Sequence, residues 1–159
     1  MNTDSSDDQV PPIASTEEPS VRQTKPPFFV RNIELFSTEL TQLPGFASRA
    51  TKENSRYTLG AVINNVSHFD ETSCIAFVDF SAGREIEGER AYELRASYLL
   101  VLEAEEPPSE PTWRSYLELV ASTSAWLLFK GLFSVAVTQA DLDLPKLPAR
   151  PQSLEFDEN

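Results

Sequence analysis

Between Pro111 and Asp141 runs PTWRSYLELVASTSAWLLFKGLFSVAVTQAD, whose apolar residues recur every three to four positions. No other stretch offers a long helix, so any fold for this chain is built around it. Pro111 suits a first helical turn, where its missing N–H would have no partner anyway, and Ser109 is placed to cap it. Glu110 and Glu118 stand toward the positive end of the helix dipole. One seam mixes small and aliphatic groups: Leu117, Val120, Ser124, Leu127 or Leu128, Gly131 and Val135. Trp113, Tyr116, Trp126, Phe129, Leu132, Phe133 and Val137 widen the apolar surface beyond what one sheet can cover. The helix therefore needs two partners. A bilayer-spanning helix needs about 20 mainly apolar residues. Here Glu118, Ser122, Thr123, Ser124, Lys130, Ser134 and Thr138 interrupt the run, and a charge near mid-span costs at least ~2.5 kcal/mol. The expectation is a helix in a soluble fold, without membrane insertion.

Charge and cysteine content narrow the partners. With 13 basic against 25 acidic residues the net charge is -12, which opposes a phosphate-backbone partner and argues against nucleic acid. Cys74 is the single cysteine, so no intramolecular disulfide forms. The acidic start MNTDSSDDQ lacks the basic and apolar regions of a signal peptide, and a cytoplasmic location is expected. Residues 1–27 are polar and acidic, with prolines at 11, 12, 19, 26 and 27. Such a segment cannot offset its ordering entropy and reads as a disordered arm. Residues 151–159 read as a disordered acidic tail, which leaves one domain over residues 28–150.

Inside that domain four segments alternate as strands do. The first runs from Phe28 to Glu39, with Ile33 and Leu35 on one face and Val30, Asn32, Glu34 and Phe36 on the other. A loop follows, bent at Pro44 and Gly45 beside Leu43 and Phe46. The second strand spans Arg56 to Phe69, with Tyr57, Leu59, Ala61 and Ile63 on one face and Val62 on the other; Asp70 to Thr72 is a connection of hairpin length, and the third strand covers Ser73 to Phe80. The charged stretch REIEGER makes the next hairpin end, where Gly88 can take a positive φ. In the fourth strand Tyr92, Leu94, Ala96, Tyr98, Leu100 and Leu102 all point one way. Short links imply an α+β fold: a four-stranded antiparallel meander sheet packed with one long helix. One helix covers one sheet face. The other face, with Val30, Phe36, Val62, Leu99 and Val101 among its residues, then stays in water, and apolar patches of that kind mark partner surfaces.

The order of these parts, FVRNIELFSTEL, an aromatic-bearing loop, the meander ending ELRASYLLVLEAE, then LLFKGLFSVAVTQADLDLPKLP, resembles the SecB export chaperone and its SecB-like relatives, some of which accompany toxin–antitoxin pairs. The resemblance covers about Phe28 to Pro148. It implies an ATP-independent chaperone that holds unfolded polypeptides in apolar grooves, as a homotetramer built from two dimers, with the export translocase motor or a toxin–antitoxin pair as further partners. The chain departs from the pattern at Lys130, Gly131 and Leu132, and its ending PARPQSLEFDEN leaves no room for the family's second helix. The alternative is an interaction protein on the same fold, with one dedicated partner.

Catalysis finds little support. His68 and Cys74 are the single histidine and cysteine, and a nucleophile needs a base in hydrogen-bond reach plus a group to orient it. No spacing offers three or four metal ligands, and the five glycines form no phosphate cradle. No enzyme, metal or cofactor is expected. Phe36, Leu43, Phe46, Phe69, Phe80, Tyr98, Trp126 and Phe129 are the candidate client-binding residues, and Trp113, Leu117, Val120 and Ser124 the candidate oligomer interface. With Phe46 in a loop, its loss is expected to weaken holding and spare stability.

Overall fold

The computed structural model describes residues 28–51, 53–142 and 144–157. The arm over residues 1–27 lies outside the described residues. Four long strands form: β1 (Phe28–Gln42), β2 (Ser55–Asp70), β3 (Ser73–Ile86) and β4 (Glu89–Ala104). A single helical turn, α1 (Phe46–Arg49), lies between β1 and β2. The hairpins close as their residues dictate. Asp70 Oδ1 accepts from the Thr72 backbone N–H at 2.8 Å, and Glu87 and Gly88 take φ of 52° and 84°, the positive pair of a tight two-residue turn. Residues of REIEGER flanking that turn extend β3 and β4, because Glu85 pairs with Arg90 and Ile86 with Glu89.

The sheet order is β1-β4-β3-β2-β5, so the expected four-strand meander is corrected. Strands β2, β3 and β4 are a meander; β1 lies beside β4, antiparallel, in a Greek-key arrangement. The segment 43–54 is longer than hairpin loops of about 2–5 residues, and it carries the chain across to the opposite edge. A fifth strand, β5 (Glu155–Phe156), pairs parallel with Val62 and Ile63 of β2. The tail expected to be disordered thus holds a strand, because its Leu154 and Phe156 pack against the core.

Bulges redirect β1. Register shifts between Val30 and Asn32 and between Leu35 and Ser37 each reverse the side-chain alternation. Val30 therefore shares the face of Ile33 and Leu35, opposite Leu102, Leu100 and Tyr98, instead of the face of Asn32 and Phe36. Gly83 is the one glycine that close approach demands. A Cβ there would stand 2.2 Å from the Tyr92 carbonyl oxygen.

The long helix forms as α2 (Glu110–Val120), a π turn (Ala121–Ala125) and α3 (Trp126–Gln139). Ser109 occupies the cap position, but its side chain makes no capping bond; its Oγ lies 2.8 Å from Thr112 Oγ1. By length and composition this helix could cross a bilayer, yet Trp113, Leu117, Val120, Ala121, Ala125, Trp126, Phe129 and Phe133 are buried in the common core with the sheet.

Candidate functional site

The π turn decides which side chains the helix offers. Trp126 N–H donates to the Ala121 carbonyl five residues back, so one residue is added to the turn, and α3 is displaced by about 100° from a continuous α-helical phase. The seam read as one line is thereby broken. Leu117 and Val120 point into the core, whereas Leu127 is 66% exposed and Val135 54%; Leu128 is exposed beside them, as are Ser124 and Gly131. Trp113, Leu117 and Val120 are thus core residues of the chain itself, not an oligomer interface. Of the four residues named for that role, only Ser124 lies on the surface.

The client-binding candidates divide in the same way. Phe80 packs against Trp126 at 5.3 Å, Phe129 at 5.2 Å and Tyr98 at 6.0 Å between ring centroids. The ladder continues from Phe129 to Phe133 at 6.3 Å, to Tyr92 at 6.3 Å and to Phe46 at 6.1 Å. Phe46, Phe80, Tyr98, Trp126 and Phe129 are thereby locked in one aromatic column between sheet and helix and are removed from the client-binding set. Phe46 is buried because the crossing segment is pinned: the Leu43 N–H donates to Ala91 O at 2.8 Å, and the Phe46 N–H to Leu43 O at 3.3 Å. Leu43 is half-buried. Phe36 and Phe69 remain open, 67% and 70% exposed.

Three apolar surfaces result. The outer helix stripe carries Leu127, Leu128 and Val135; edge strand β1 carries Val30, Leu35 and Leu40; the sheet face away from the helix carries Ile75, Phe77, Leu99 and Val101, all half-exposed. Phe36 stands edge-on to Phe77 at 5.0 Å and extends that last patch. The other half of this face is polar. Asp79 accepts from Asn64 Nδ2 at 2.6 Å and from Ser97 Oγ, and the buried Glu93 carboxylate is paired with Arg95 at 2.8 Å and Arg90 at 3.4 Å.

His68 and Cys74 do not form a base–nucleophile pair. His68 and Cys74 are cross-strand neighbours, but His68 tilts against Trp113 at 5.8 Å with its Nε2 3.5 Å from Glu110. Burial, with the Glu110 charge adding to it, pushes the Cys74 thiol up to about 11. A thiol so placed stays neutral. Among the described residues no group of three His, Cys, Asp or Glu side chains is placed to hold a metal.

No protein-family model matches the sequence, and no curated protein matches it. A search of solved structures finds the SecB-like chaperone Rv1957 of Mycobacterium tuberculosis, in complex with a ChAD peptide from the Rv1956 HigA1 antitoxin, at a TM-score of 0.56 and 10% identity. The match covers 77% of this chain and 86% of that one. This chain has the SecB-like fold. The likeness rests on the five-strand mixed sheet and the long helix, since the sequences share little. Arg114 and Phe156, which sequence reasoning did not single out, meet at the C-terminal edge of the sheet, with the Arg114 guanidinium carbon 4.4 Å from the Phe156 ring centroid. Their only sequence signal is the isolated LEF triplet in an acidic tail.

Proposed function

We propose that this chain is a SecB-like chaperone, a binding protein and not an enzyme, that holds unfolded polypeptide segments without ATP. The observation that carries the reading is the open apolar surface on a fold shared with a peptide-bound chaperone. A folded monomer rarely leaves such surfaces in water without a partner for them. Phe36, Phe69 and the half-buried Leu43 remain as client contacts, and the stripe Ser124, Leu127, Leu128, Gly131 and Val135 replaces the buried seam as the oligomer interface. Small residues within that stripe allow helices to approach closely. The assembly proposed is a homotetramer, working in the cytoplasm.

An aggregation-suppression assay with an unrelated unfolded protein tests this. We expect suppression in nucleotide-free buffer, and weaker suppression by Phe36→Ser and Phe69→Ser at unchanged melting temperature. The antitoxin peptide in the structural relative favours a second reading, a partner dedicated to one antitoxin. Tight binding of one protein with no effect on aggregating clients would select it.

A further inference from the structure

Strand β2 pairs with β3 on its inner side and is an edge strand for most of its length on the outer side. Among the described residues, what pairs with that outer side is the chain's own C-terminal segment. That segment runs on from Leu142, spaced by Pro145, Pro148 and Pro151. Its attachments include the packing of Leu142, Leu144 and Phe156 against the core. Trp126 Nε1 donates to the Pro148 carbonyl at 3.0 Å, Leu147 and Leu154 pack half-buried against the core, Val62 and Ile63 pair with Glu155 and Phe156, and the Asp157 N–H donates to Ile63 O at 2.9 Å. Phe156 lies under Arg114. Beyond the last pair, a cleft of about 360 Å³ lined by Asn65, Val66, Ser67, Glu110, Arg114, Phe156 and Asp157 continues along the same edge. Past that cleft stands the exposed Phe69. Toward the start of β2 the segment 145–148 lies beside Tyr57, Thr58 and Leu59, whereas past Ile63 no strand pairs with this edge among the described residues, which leaves it open to strand addition.

We propose that the segment Leu154–Asp157 is a built-in occupant of a peptide-binding edge, and that an extended client segment replaces it. The self-contact defines the chemistry of that client: an extended chain with an aromatic ring placed over Arg114 and an acidic residue beside it, as in Leu154, Glu155, Phe156 and Asp157. The client adds to the β2 backbone where β5 now sits and runs on past Asn65 toward Phe69. This goes beyond the chaperone reading above and rests on it for the identity of the client. The strap gates the edge, because client and tail compete for the same backbone groups of Val62 and Ile63.

The test uses the full chain and two variants. Phe156→Ala removes the ring from Arg114, whereas Val62→Cys with Glu155→Cys places thiols at paired positions so that oxidation locks the strap; Cys74 is buried and out of reach. The first probe is a fluorescein-labelled PQSLEFD peptide read by anisotropy. We expect Phe156→Ala to bind it about tenfold tighter than the parent, the gain expected if the strap fills the edge for about nine-tenths of the time. The oxidised double variant should not bind it, and reductant should restore binding. Equal binding by parent, Phe156→Ala and locked protein overturns the strap, as does full binding by the locked protein alone. The second probe is a reduced, carboxymethylated unfolded protein. If no variant binds it while the peptide results hold, the strap stands and the chaperone reading falls; if all bind it equally and the peptide results fail, the reverse follows.

Discussion

Phe46 is where a side chain read from the sequence as a loop contact turns out to be structural. It is 2% exposed and closes the aromatic column against Tyr92, so Phe46→Ala should destabilise the fold by ~3–5 kcal/mol in a urea melt. Retained stability would mean the crossing segment opens freely. Tyr92 gives the opposite case. Its hydroxyl is buried with no hydrogen-bond partner among the described residues, and an unsatisfied buried polar group costs about 1–3 kcal/mol. Tyr92→Phe should therefore be neutral or stabilising in the same melt. Burial also raises the Tyr92 hydroxyl above its ordinary value. Asp70 is shifted the other way, held below its usual range by the Thr72 backbone N–H first and then by the Ser73 and Thr72 hydroxyls. A carboxylate depressed in the folded state contributes stability above its unfolded value and loses it as pH falls through the folded one. An NMR titration should find Asp70 still ionised when an unfolded reference peptide is half-protonated. An Asp70 that titrates together with the reference peptide would mean that the turn contributes nothing to acid lability.

The π turn is the element that the sequence conceals. Period-2 alternation makes β4 and most of β2 legible, and the apolar run makes the helix legible to within two residues at either end, because burial on one face leaves a periodic trace. A one-residue change of phase inside ASTSA leaves none, since small residues on both sides fit either register. The seam drawn straight through it therefore passes from core to surface at Ser124. The β1 bulges at Val30 and Leu35 escape for the same reason, and β5 escapes because two residues carry no period at all. Deleting Ser124 removes the residue that the π turn absorbs, so the helix should close as continuous α with Trp126 and Phe129 still against Phe80 and Phe133 against Tyr92, at near-parent stability in calorimetry. A loss of several kcal/mol, about the cost of one or more large core truncations, would show that the π turn itself is needed to seat α3.

The molecule buries one face of its sheet and leaves three apolar surfaces, and in the function proposed above an oligomer and a client are the two means of covering them. Gly131 links the two. A Cβ there meets nothing within 4 Å in the isolated chain, so Gly131→Ala should raise monomer stability by up to about 1 kcal/mol through helix propensity and weaken close helix pairing between copies. Light scattering should give four times 17.8 kDa for the parent and a smaller mass for the variant at the same concentration; a monomeric parent would remove the helix stripe from the interface. The architecture is legible in the sequence because core positions dominate the pattern, whereas five of the eight client candidates belong to the core, since an aromatic residue serves a core and a groove equally well in sequence. What decides the function is whether the surfaces left over hold an unfolded chain. Isothermal titration of the full-length protein with a reduced, carboxymethylated protein in nucleotide-free buffer measures that directly. Binding near micromolar affinity, about -8 kcal/mol, with a negative heat-capacity change is the predicted result; absence of heat at every temperature, with the same protein binding only a folded partner, would contradict it.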